Sequence, residues 1–144
     1  MTFTGSANFP YWVGGVITAA AIVAEASGVL PNASAACLAM PGLLLLLDAG
    51  VGTSVLDYYF FANHPFTERR VQELYFARPK SLPRYLAALA WSAAFAVTVG
   101  VLRSEVLIAA GLVGSIVAYG LLAGAALIRC IRQAGREARL SIGT

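Results

Sequence analysis

Charged side chains are scarce in this chain: Asp, Glu, Lys and Arg make up 12% of its 144 residues, about half the share usual in soluble domains. Two cysteines are too few for a disulfide scaffold, and a single histidine excludes bis-histidine haem ligation within the chain. The sequence has no C-x-x-C, no H-E-x-x-H, no phosphate loop and no Ser-His-Asp arrangement. Catalysis by this chain alone is therefore not expected and no metal ligand set is apparent within it, while a cofactor is left unknown, a single-His ligand shared with a partner subunit being one way to hold it. What the chain has in excess is apolar surface. Hydrophobic residues make up 59% of the sequence, Leu43 to Leu47 is an unbroken leucine run, and mean hydropathy is +0.76. A soluble domain this small could not bury so much apolar area, and a disordered chain would not carry it. Composition alone points to one integral membrane domain spanning residues 1–144.

A hydrocarbon core about 30 Å thick requires roughly 20 apolar residues of helix. Residues 10–30, 36–61, 84–102 and 106–128 qualify, leaving a basic tail at 129–144. Ala-rich runs such as Thr18 to Ala24 and Ala87 to Ala96 lack the strict alternation of barrel strands. The expectation is an all-α bundle of four transmembrane helices. Positive charge clusters in two places: Arg69, Arg70, Arg78, Lys80 and Arg84 lie between spans two and three, and Arg129, Arg132, Arg136 and Arg139 follow span four. By the positive-inside rule both termini and the middle connector are cytoplasmic. The Ala- and Gly-rich composition suggests a bacterial cytoplasmic membrane, where the sequon Asn32-Ala33-Ser34 carries no meaning. No positive n-region precedes the first span, and Ser34 makes Cys37 a poor lipobox residue, so the first helix reads as retained.

Within the connector, Thr67 is a plausible N-cap, and Val71, Leu74 and Tyr75 fall at i, i+3 and i+4. This spacing predicts a short interfacial amphipathic helix, ended by Pro79 and Pro83, that rests on the membrane or on a partner; a solvated loop with a few buried anchors is the plainer alternative. The four tail arginines are spaced three, four and three apart and share one face of a helical continuation. Together with Arg69 and Arg70 they are candidates for contact with membrane lipids, anionic ones among them, or with partner chains. With no aromatic interleaving they are not a nucleic-acid motif.

Acids inside spans are expensive and so are functional candidates. Asp48 stands amid the second apolar run, and Glu25 lies five residues before Leu30. If the second helix starts near Pro41, both sit in the outer half at similar depth; if it starts near Ala36, Pro41 kinks it and Asp48 is more central. Facing each other, the two acids could carry a proton or cation, with Arg103 available to neutralise one of them. The plainer account is a buried Asp48, protonated or hydrogen-bonded to Thr53, Ser54 or a neighbouring helix. Asp57 is expected near the inner interface, where it could pair with Arg69 or Arg70, and His64 reads as part of a turn. Gly120-x-x-x-Gly124, extended by Gly114, and Gly14 with Thr18 offer small faces for close helix packing.

Ala24-Glu25 followed by Gly28 resembles the acid-bearing first helix of small multidrug transporters, which also have four spans. The likeness covers about five residues, and the basic connector here is longer than in that family. Three functions follow as expectations. The first is a non-catalytic accessory subunit of a larger membrane complex. The second is a small self-associating transporter or channel using the intramembrane acids. The third is an enzyme subunit contributing to a lipid or quinone site.

Overall fold

The computed structural model describes residues 8–52 and 65–142, with side chains given for all of these except 8, 65–69, 78–80 and 141–142. All of the regular structure among the described residues is helical: α1 Asn8–Ala26, α2 Asn32–Gly50, α3 Pro65–Phe76, α4 Arg78–Val101 and α5 Glu105–Ile142. Helices α1, α2, α4 and α5 are long and apolar enough to cross a membrane. The chain is an all-α membrane bundle, and among the described residues one short helix lies between its second and third spans.

The α1–α2 hairpin follows from its turn chemistry. Gly28 adopts φ 75, and the amides of Gly28 and Val29 return to the carbonyls of Glu25 and Ala24 at 3.1 and 3.0 Å. This Schellman closure satisfies carbonyls that α1 would otherwise leave open in an apolar setting. Pro31, extended at ψ 158, then admits α2. The two helices approach closely because Gly14 faces Gly42: a Cβ on Gly14 would stand 2.7 Å from the Gly42 carbonyl oxygen. Hydroxyls in the spans are satisfied locally, as Thr18, Ser92, Thr98 and Ser115 each donate to the carbonyl four residues earlier.

The helix boundaries differ from those expected at the prolines. Helix α2 begins at Asn32 and carries Pro41 in its interior, so it starts earlier than either Ala36 or Pro41 would imply. The part of the expected second span beyond residue 52 lies outside the described residues. Helix α4 begins at Arg78, with Pro79 in its first turn and Pro83 inside it. Pro suits the first turn, where its missing N–H would have had no partner. Of the two prolines expected to close the connector, Pro79 thus opens the next helix and Pro83 lies within it.

Helix α5 has 38 residues, about 57 Å at 1.5 Å each, so it outruns a hydrocarbon core of about 30 Å. The basic tail is its continuation. The predicted amphipathic helix is present as α3, and α5 covers its apolar face. Val71, Leu74, Tyr75 and Phe76 pack on Ala126, Leu127, Cys130 and Ala134. Arg70 pairs with Glu137 at 2.8 Å, so α3 runs antiparallel along the extension of α5. A second cluster, Met40, Leu44, Ala88, Phe95, Tyr119 and Ala123, joins α2, α4 and α5.

Candidate functional site: a buried aspartate–arginine pair

Asp48 is fully buried, and Arg84 is 5% exposed. Arg84 Nε donates to Asp48 Oδ1 at 2.7 Å, and Nη2 lies 3.4 Å from Oδ2, so the guanidinium engages the carboxylate along one edge. The same Nη2 donates to the Tyr75 carbonyl oxygen at 2.7 Å. That carbonyl belongs to the last turn of α3, so the arginine also caps the connector helix. Its guanidinium carbon stands 3.8 Å from the centre of the Tyr75 ring, in cation–π geometry.

Two phenols complete the cluster. Tyr75 Oη donates to Asp48 Oδ1 at 3.0 Å, with the Asp48 main-chain oxygen at 3.3 Å. Tyr119 Oη lies 3.2 Å from the Arg84 carbonyl oxygen and 3.4 Å from Asp48 Oδ1, and shares its single proton between them. The edge of Trp91 backs Tyr119, with ring centroids 6.5 Å apart. Burial, and then the negative charge of Asp48, hold the Tyr75 phenol well above its ordinary pKa. Gly52 makes the approach possible, because a Cβ there would strike the Tyr75 and Phe76 rings. Helices α2, α3, α4 and α5 therefore meet at one neutral, internally hydrogen-bonded charge pair.

The residues singled out from the sequence are distributed differently. Asp48 lies 16 residues into α2, about 24 Å from its start. Glu25 is exposed near the far end of α1, and Arg103 is exposed between α4 and α5. The structure does not bring Glu25, Asp48 and Arg103 together. Similar depth for the two acids required a start near Pro41; α2 instead starts at Asn32 with Pro41 inside it, which carries Asp48 to the opposite end of the hairpin from Glu25. Arg70 pairs with Glu137 and Glu73, and its pKa is raised by the bond to Glu137. The Arg69 side chain, Thr53, Ser54, Asp57 and His64 lie outside the described residues. Arg129, Arg132 and Arg136 line a shallow basic groove on α5, and Arg132, Arg136 and Arg139 line another. Gly120 meets Leu47 of α2, whereas Gly114 and Gly124 have nothing within 4 Å of where a Cβ would stand.

Sequence reasoning missed Arg84, Tyr75 and Tyr119 as partners of Asp48. A signal for Arg84 was available: with Pro79 taken as a first-turn residue, Arg84 falls inside the third apolar helix, where a lone cation requires an acid. No signal distinguished the two tyrosines from ordinary packing residues. Among the described residues no group of three or more His, Cys, Asp or Glu could hold a metal ion, and Cys37 and Cys130 form no disulfide. Comparison of the chain with protein-family models, curated proteins and solved structures found no match.

Proposed function

We propose that this protein is a non-catalytic accessory subunit of a larger membrane assembly, using its bundle to hold neighbouring helices in place. The observation that carries the reading is the occupancy of Asp48. Arg84 neutralises its carboxylate, two tyrosines hydrogen-bond to it, and it has no exposure. An acid held in this way fixes four helices relative to one another and is poorly suited to load and release a proton or cation. The open small faces at Gly114 and Gly124 support contact with helices of other chains.

The packing of α3 along α5 brings Arg70 and the arginines of α5 to one end of the bundle, with Arg103 between α4 and α5 at the other. That asymmetry supports a cytoplasmic position for both termini and the connector; a membrane of bacterial type rests on the Ala- and Gly-rich composition alone. Transport through Asp48 and Glu25 is the competing reading, and the separation of those two acids weighs against it. The test is purification of the full chain in mild detergent, with the composition of the particle measured. A stoichiometric complex with unlike membrane chains is expected. A homo-oligomer whose proton or cation flux in vesicles disappears in Asp48→Asn would replace this reading with transport.

A further inference from the structure

A groove of about 460 Å³ runs between α4 and α5. Its lining changes character along its length. Ala87, Leu122 and Ala126 make one end apolar, and Arg129 and Gln133 make the other polar. From Leu122 to Gln133 the axial distance along α5 is about 16 Å, the length of a headgroup and the upper part of an acyl chain. Arg84 forms part of the wall, but its charge is engaged by Asp48. Arg129 is exposed and makes no ion pair among the described residues. A second groove of about 330 Å³ shares Arg129 and Gln133 with the first and adds Arg132 and Arg136.

We propose that the α4–α5 groove binds one anionic glycerophospholipid, with its phosphate against Arg129 and an acyl chain along Ala87, Leu122 and Ala126. The charge pattern selects the headgroup. A choline would be brought against Arg132 and Arg136, whereas an uncharged glycerol or a second anionic group would not be repelled. The apolar end selects a lipid over a bare anion, because free phosphate would leave that wall uncovered. The proposal does not depend on the accessory-subunit reading and would hold equally for a transporter.

The test uses the full chain in mild nonionic detergent, with phosphatidylglycerol, phosphatidylcholine and inorganic phosphate as probes and bound lipid counted by native mass spectrometry. One phosphatidylglycerol should be retained about tenfold more strongly than phosphatidylcholine, given several arginines near the headgroup. Arg129→Gln should weaken retention about fivefold, the contribution of one arginine at a membrane surface. Arg139→Gln makes the same change in net charge outside the groove and should weaken it less than about twofold, as expected of a screened surface charge. Ala87→Phe, which fills the apolar end, should abolish specific retention. Equal retention of the two lipids, equal effects of the two arginine changes, or displacement of the lipid by inorganic phosphate at matching concentration would each overturn the proposal. If Ala87→Phe does not fold, the contrast between Arg129→Gln and Arg139→Gln decides the matter.

Discussion

Replacing Asp48 by Asn isolates the charge of the buried pair while retaining its shape. The amide keeps an oxygen for Arg84 Nε and for Tyr75, so the 2.7 and 3.0 Å contacts can persist as weaker bonds. What disappears is the Coulomb attraction, about 4 kcal/mol for unit charges about 4 Å apart at an effective dielectric of about 20. Arg84, 5% exposed, then remains as an uncompensated buried cation. Breaking a buried pair from one side typically costs about 3–5 kcal/mol, in agreement with that figure. At about 4 °C per kcal/mol for a chain of this size, the unfolding midpoint in detergent should fall by about 10 °C or more. Trp91 fluorescence is a suitable probe because its ring contacts Tyr119 in the cluster. The double change Asp48→Asn with Arg84→Gln removes both charges and should recover part of the loss, with a coupling of about 2 kcal/mol or more. A midpoint for Asp48→Asn within about 2 °C of the parent, or strict additivity in the double variant, would refute the claim that this pair holds the bundle.

Tyr75→Phe removes the hydroxyl that Asp48 accepts and should cost about 1–3 kcal/mol in the same unfolding assay; no measurable loss would show that the hydroxyl is unimportant. Because burial raises the folded-state pKa of Tyr75, the stability this creates is complete below the unfolded value of about 10 and is lost as pH rises through and above it. Alkaline titration of the folded protein at 295 nm should therefore leave this phenol protonated after exposed tyrosines ionise, and the parent should lose more stability above pH about 10 than Tyr75→Phe does. Gly42→Ala should destabilise by about 1–3 kcal/mol, since the added methyl meets the backbone of α1, while Gly114→Ala in open space should be neutral or stabilise by up to about 1 kcal/mol. Equal effects of these two changes would contradict the packing of the α1–α2 hairpin. The half-exposed Arg70–Glu137 pair should matter little: Glu137→Gln should leave the unfolding midpoint unchanged within error, at low salt and at high salt alike.

Arg84 illustrates the limit of reading this chain in one dimension. In the sequence its charge groups it with the basic connector, and Pro83 marks the edge of the apolar run. In the structure α4 begins five residues earlier, so Arg84 lies inside a helix and across from α2. Tyr75 likewise looked like one member of an apolar stripe. Its ring does join that stripe against α5, but its hydroxyl and carbonyl serve Asp48 and Arg84. The amphipathic period correctly marked which face of α3 is covered, although it could not tell whether lipid or α5 covers it.

The sequence by itself determined the solvent and the architecture. Long apolar runs with few charges can satisfy their backbones in lipid only as helices, and the hydropathy pattern is local enough to be counted along the chain. The tertiary structure decided how the intramembrane charge is used. Whether Asp48 faces Glu25, Arg103 or Arg84 depends on where each helix starts and on how closely Gly14 and Gly42 let α1 and α2 approach. A shift of a few residues in the start of a helix moves a side chain by several ångströms along the bundle and turns it around the axis. Pairwise contacts at about 3 Å therefore exist only once all the helices have been set against one another.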